Sequence, residues 1–257
     1  MPDWADLKLT LMGEGRDDEV DMVKHIASRM AALDWQRIHA ELDGQGWAVV
    51  PLLTPSECTE LAALYADDGR CRNQVIMERH GYGRGDYKYF AYPLPGPVAA
   101  LRTALYPPLA EIANDWAAAL RIEARFPADH AGFLRRCHDA GQLRPTPLLL
   151  RYGEGDFNHL HQDLYGEHVF PLQVAFLLSR PGADFTGGEF VLTEQKPRMQ
   201  SKVSVVPLGQ GDAVIFAVNQ RPARGTRGIY RAVMRHGVST LRSGSRFTLG
   251  VIFHDAS

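Results

Sequence analysis

The alternation of apolar and polar positions divides the chain near residue 146. Beyond it, short apolar runs are punctuated by Gly and Pro, at 148–152, 170–178, 189–193, 203–206, 213–218, 232–238 and 247–253. Each run has strand length and strand composition. So many short strands at this spacing indicate a sandwich or barrel, with a jelly roll among the candidates. The first part reads mainly helical. Asp34 suits the N-cap of a helix over 35–43 that places Ile38 and Leu42 on one face, and Gly44-Gln45-Gly46 ends it. A strand follows at 47–50. Thr54-Pro55-Ser56-Glu57 then forms a capping box with Pro at the first helical position, opening a helix with Cys58, Leu61, Ala62 and Tyr65 on one face. A further helix is expected over 97–120, with an interruption at Pro107-Pro108. No internal repeat or linker divides the 257 residues. The expectation is a single domain of the α+β class, mainly β with flanking helices. Residues 1–145 form a mostly helical support and substrate-contact region, and 146–257 the catalytic core.

Composition narrows the class. With 45% hydrophobic and 23% charged residues, the chain reads as an ordinary globular protein. No apolar stretch approaches the roughly 18 residues of a membrane span, so no membrane partner is expected. The N-terminal 20 residues are acidic and lack the pattern of a secretory leader. Cys58, Cys71 and Cys137 are odd in number and widely spaced, which argues against a disulfide framework and suits a cytoplasmic location. The net charge of −2 conceals a polarity: 14 acidic against 5 basic residues over 1–68, and 10 basic against 1 acidic over 196–254. Such asymmetry points to an anionic partner, although the two halves could also pair with each other.

Candidate chemistry is concentrated at His161-Gln162-Asp163. Residues two apart on a strand point the same way, so an imidazole and a carboxylate would lie side by side. A distal imidazole, His236, would complete a 2-His-1-carboxylate face with open positions, the ligand set diagnostic of non-heme Fe(II) oxygenases. His159, two residues before His161, is an alternative proximal ligand. Arg246 follows His236 by ten residues, with Thr248 one alternation further. His254-Asp255 has no downstream Arg and reads as a satisfied structural pair. Gly187-Gly188 reads as a turn with positive φ. Gly81-x-Gly83-x-Gly85 lacks the strand and helix that a dinucleotide fingerprint requires.

These residues, with Thr186-Gly187-Gly188-Glu189-Phe190, Gly211-Asp212-Ala213-Val214-Ile215-Phe216 and Arg235-His236-Gly237-Val238, resemble the Fe(II)/2-oxoglutarate-dependent dioxygenase superfamily over about 147–255. The resemblance implies a double-stranded β-helix form of the jelly roll. It also implies iron on His161, Asp163 and His236, with 2-oxoglutarate and O2 as cosubstrates and ascorbate as a candidate reductant. Arg246 would clamp the distal carboxylate of 2-oxoglutarate, a task that suits the planar guanidinium fork, with Thr248 and Tyr152 as further contacts. More closely, the phrases HLHQDLYGEHVFPLQVAFLLS, GGEFVLTEQKPRMQS and RHGVSTLRSGSRFTLGVIFHD look like a bacterial group described as nucleic-acid oxygenases and linked to oxidative removal of alkyl damage from DNA. That implies alkylated single- or double-stranded nucleic acid as partner and loss of the alkyl group as an aldehyde.

Two segments suit such a partner. Over 70–90, Arg79, Arg84 and Lys88 interleave with Tyr82, Tyr87 and Tyr89, as phosphate contact and base stacking require. Over 219–235, Arg221, Arg224 and Arg227 lead toward His236, and a basic loop beside the iron would attract a polyanion. The alternatives are a protein (prolyl-type) or small-molecule hydroxylase of the same superfamily, and a non-catalytic sensor of 2-oxoglutarate or metal.

Overall fold

The computed structural model describes residues 17–123, 125–226 and 228–257. Fifteen strands are found among the described residues, and every strand pair is antiparallel. The larger sheet has seven strands in the order β1 (Trp47–Pro51), β11 (Asp212–Ala217), β7 (Leu172–Leu177), β15 (Arg246–Val251), β5 (Leu148–Tyr152), β4 (Asp86–Phe90) and β2 (Cys71–Ile76). The smaller runs β10 (Lys202–Val206), β9 (Phe190–Gln195), β13 (Gly228–Val238), β6 (Phe157–His161) and β3 (Gly83–Arg84), with β12 (Gln220–Gly225) pairing β13. A two-stranded ribbon joins β8 (Phe185–Gly187) to β14 (Leu241–Gly244). This is the jelly-roll architecture expected of the second half, with helices packed outside.

The helices cover one face of the larger sheet. Leu172, Val174 and Phe176 of β7 and Leu249 and Val251 of β15 share one core cluster with Leu101, Leu105, Tyr106, Leu109 and Trp116 of the helix Gly96–Ala119. The opposite face of β7 and β15 (Gln173, Ala175, Thr248, Gly250) lines a cavity. Strand β7 is therefore buried on both faces, which is why it reads as a continuous apolar run.

The caps behave as the sequence suggests. Asp34 accepts from the Arg37 amide at 3.0 Å. Thr54 and Glu57 form the reciprocal capping box, and Glu57 also pairs with Arg29 of the helix Asp17–Ala31 at 2.6 Å. Two expectations need correction, and one needs an addition. The helix Gly96–Ala119 runs unbroken through Pro107 and Pro108; nearly complete burial of Leu101, Leu105, Tyr106, Leu109 and Ile112 outweighs the backbone bonds the two prolines cannot make. The region before residue 146 is mainly helical, but it also holds strands beyond the expected one at 47–50: β2, β3 and β4 fall within 71–90, and β2 and β4 extend the larger sheet. His161 and Asp163 do not share a strand, because β6 closes at His161 and Asp163 lies past its end. The helices Asp17–Ala31 and His130–Asp139 and the strands β8, β12 and β14 carry no signal in the sequence reading.

Strand β15 continues into a strap, 252–255, tied from several segments. Arg102, on Gly96–Ala119 and 1% exposed, donates to the Ile252 carbonyl at 2.8 Å and to Asp255 at 2.7 Å. His130 contacts the Phe253 carbonyl at 2.9 Å, and Tyr92 and His138 both reach Asp255 at 2.9 Å. Asp255 is thus satisfied from three sides. His254 accepts from the Phe170 amide at 3.3 Å through Nδ1, but its buried Nε2 has no hydrogen-bond partner among the described residues, so the expected satisfied pair is only half met. Among the described residues no helix is long and apolar enough to cross a membrane.

Candidate active site

Pairing of β13 with β6 sets His236 directly opposite His161, and Asp163 turns in just beyond. The Nε2 of His161 lies 3.6 Å from Asp163 Oδ1, and the Nε2 of His236 lies 3.4 Å from Asp163 Oδ2. All three donor groups fall within 4.8 Å of one another. His161 Nδ1 is 2.7 Å from the His159 carbonyl. A carbonyl only accepts, so Nδ1 carries the proton and Nε2 presents its lone pair inward. Burial and the adjacent His236 lower the His161 pKa, favouring the neutral imidazole that binds metals. For Asp163, burial alone would raise the pKa, but the two imidazoles and the Tyr165 hydroxyl outweigh it and hold the carboxyl ionised. Tyr165 donates to Asp163 Oδ1 at 2.7 Å. Phe190 and Phe216 pack against the His236 ring, with centroids 6.0 and 4.7 Å away. Two imidazoles and one carboxylate, converging from one side, fit a divalent first-row metal with several coordination positions open. His159 lies outside this group; its ring is exposed and edge-on to Phe157.

The clamp arises from a second register. Arg246 on β15 lies opposite Tyr152 on β5, and Thr248 lies opposite Leu150. Arg246 is 1% exposed and donates to Thr248 Oγ1 at 2.6 Å; its Nε has no partner. Among the described residues no carboxylate pairs with it. Burial depresses its pKa to about 10 despite the nearby Tyr152 and Glu189. A buried guanidinium without a counter-ion is costly unless a ligand supplies one, so this position fits the distal carboxylate of a dicarboxylic acid. Tyr152 is fully buried, and its hydroxyl accepts from Asn158 at 3.4 Å.

Both groups open into one cavity of about 450 Å³. Its wall near the metal set is aromatic: Tyr82, Tyr87, Tyr89 and Tyr165. Tyr87 and Tyr89 meet edge to face at 5.3 Å, and the Arg72 guanidinium stacks 4.3 Å behind Tyr89. Tyr82 stacks on His80 at 5.4 Å. Sequence reasoning missed Tyr165, Asn158 and Gln173. Gln173 did carry a signal, as the one polar side chain in the run 170–178.

The expected basic contacts are only partly brought together. Arg79 and Arg84 are exposed, on either side of Tyr82, and Arg84 lies 3.8 Å from Asp156. Lys88 points to the opposite face from its tyrosine neighbours; it donates to the Tyr65 carbonyl at 2.9 Å and pairs with Asp68, so it is spent on structure. Arg221 is also a correction. It is buried, donates to the Asp43 carbonyl at 2.9 Å and pairs with Glu194. Arg224 is exposed, but it faces Ile229, seven residues along β13 from His236. That is roughly 24 Å at about 3.4 Å per residue, so this end of the hairpin is not beside the metal set. Arg227 lies outside the described residues.

A family model described as an oxygenase catalysing oxidative methylation of damaged DNA matches residues 85–256. Two relatives, uncharacterized proteins from two strains of Mycobacterium tuberculosis, are each 47% identical over 190 residues, covering 74% of this chain and 79% of theirs. Among solved structures, an oxidoreductase of the 2OG-Fe(II) oxygenase family from Burkholderia pseudomallei is similar with a TM-score of 0.50. It is 16% identical and the match covers 88% of this chain and 93% of that one, a likeness of fold.

Proposed function

This chain belongs to the family of oxygenases described as catalysing oxidative methylation of damaged DNA, and from that premise we propose that it hydroxylates N-alkyl groups on damaged nucleic-acid bases. It is an Fe(II)/2-oxoglutarate-dependent oxygenase. The observation that carries the substrate reading is the joining of three elements in one cavity: the His161–Asp163–His236 set, the unpaired Arg246 and the tyrosine wall.

Bound to the triad with 2-oxoglutarate and O2, Fe(II) supplies the oxidising power for hydroxylation of a C–H bond, with release of CO2 and succinate. The chain's own groups supply the rest. The His159 carbonyl fixes the tautomer of His161, and the Tyr165 hydroxyl orients Asp163. Arg246 and Thr248 hold the distal carboxylate of the cosubstrate and set its reach toward the triad. Tyr87 and Tyr89 offer π faces on which a base can stack, and these faces attract the positive charge that N-alkylation places on a ring. Asp163 and His236 are 6% exposed, too deep for a base within a duplex, so the base must be extruded or come from a single strand. Hydroxylation of an N-methyl group gives N–CH2OH. Its C–N bond then breaks, the hydroxyl proton passes to nitrogen, and formaldehyde leaves. Oxidation at this site removes the methyl group.

The test is to supply anaerobically purified protein with Fe(II), 2-oxoglutarate and ascorbate, then admit air with N-methylated or unmethylated single-stranded DNA. Methylation-dependent formaldehyde is the expected result. Succinate indifferent to DNA would redirect the substrate to peptides or small molecules, and neither product from iron-loaded protein would favour a sensor.

A further inference from the structure

One polar group in the cavity is used by neither the metal set nor the clamp. Gln173 is 5% exposed on β7 and lines the cavity, and its Oε1 is buried with no hydrogen-bond partner among the described residues. An unmet buried acceptor costs about 1–3 kcal/mol. Its neighbours on the run, Leu172, Val174 and Ala175, show that the strand otherwise takes apolar residues here. Retaining an amide at this point makes sense if a ligand supplies the missing donor.

The registers say which ligand can reach it. Leu177 pairs with Thr248 of the clamp, and Gln173 lies four residues further along β7, roughly 13 Å at about 3.3 Å per residue. The clamped carboxylate is therefore out of its range. The cross-strand partner of Gln173 is Phe216, whose ring packs 4.7 Å from His236. Gln173 thus faces what occupies the metal end. 2-Oxoglutarate at neutral pH carries only acceptors, so it cannot satisfy Oε1. An exocyclic amino group on a base can.

Resting on the nucleic-acid reading above, we propose that Gln173 accepts a hydrogen bond from the exocyclic amino group of the bound base and selects amino-bearing alkylated bases over oxo bases. N3-methylated thymine has no N–H left to offer. N3-methylated cytosine keeps its amino group.

The test uses protein loaded with Mn(II) and 2-oxoglutarate and measures equilibrium binding, not turnover. Labelled single strands carry one 3-methylcytosine, one 3-methylthymine, or no lesion. The two lesions also differ in charge, so the readout is the change in their affinity ratio when Gln173 is replaced. In Gln173→Leu and Gln173→Met the preference for 3-methylcytosine should fall about tenfold, the worth of one such bond. 2-Oxoglutarate affinity should hold, and without DNA the Tm should not fall, because an unmet buried acceptor is removed. An unchanged ratio overturns the assignment, as does a shift toward 3-methylcytosine or a parallel loss of 2-oxoglutarate binding. If the wild-type protein binds none of the strands, the nucleic-acid reading fails, and this assignment with it.

Discussion

At one end of the cavity Arg246 and Thr248 are buried and bonded to each other, walled by Tyr152 and Phe185. At the other end Tyr82 and Leu160 are 51% and 47% exposed, and the exposed Arg79 and Arg84 flank Tyr82 along the chain. The clamp is assembled before its ligand arrives, and its side chains have little freedom left to lose. The exposed rim side chains would lose rotamer freedom on docking of the proposed nucleic-acid strand. On the proposed function, the closed end suits a fixed small molecule, and the open end a long one that varies beyond the reacting base.

The largest effect should come from the metal set between the two ends. His236→Ala should abolish turnover and weaken binding of Mn(II) in a calorimeter; retained turnover would mean that a different imidazole is the distal ligand. Next is the clamp. Arg246→Met should weaken 2-oxoglutarate binding at least ~30-fold, since removing one partner of a buried charge pair costs about 2–5 kcal/mol. Without cosubstrate the same variant should melt no lower than the wild type, because a buried cation lacking a counter-ion is removed. A drop in Tm together with unchanged 2-oxoglutarate affinity would erase the distinction between a pre-formed clamp and a soft rim. Smaller still, Tyr89→Leu should weaken binding of a methylated strand about tenfold, within the range of one base–aromatic stack, and leave 2-oxoglutarate binding alone. The smallest effect belongs to the outer charges. Replacing Arg79 and Arg84 together by Gln should lower the slope of log affinity against log salt by about 1.4, two phosphates at roughly 0.7 each. Arg224→Gln should leave that slope alone, and an equal loss there would restore the hairpin to the binding face.

The same contrast explains what could be read without coordinates. Most strands of the second half, and the order His161, Asp163, His236, Arg246, were legible because each depends on local alternation or on side-chain chemistry that few alternatives satisfy. Over 70–90 the sequence shows only a mixture of cations and aromatics. That mixture is real, yet alternation along β4 sends Tyr87 and Tyr89 into the cavity and Lys88 to the other face. Arg221 looked like a free cation because its partner, Glu194, is 27 residues away and becomes a neighbour only through sheet pairing. Gln173 was visible as an intrusion in an apolar run, but its meaning depended on knowing which face of β7 meets the cavity.

The strap at 252–255 has a consequence for how this site can diversify. Arg102, His130, Tyr92 and His138 fasten it four to seven residues beyond Thr248, so β15 is pinned downstream of the clamp. A one-residue insertion or deletion between Thr248 and Ile252 would shift the clamp by one position and turn Arg246 toward the helices. Length changes are therefore closed to this strand as a route to new cosubstrates. Innovation there must proceed by exchanging side chains in place, while the rim around Tyr82 and Leu160 is free to grow.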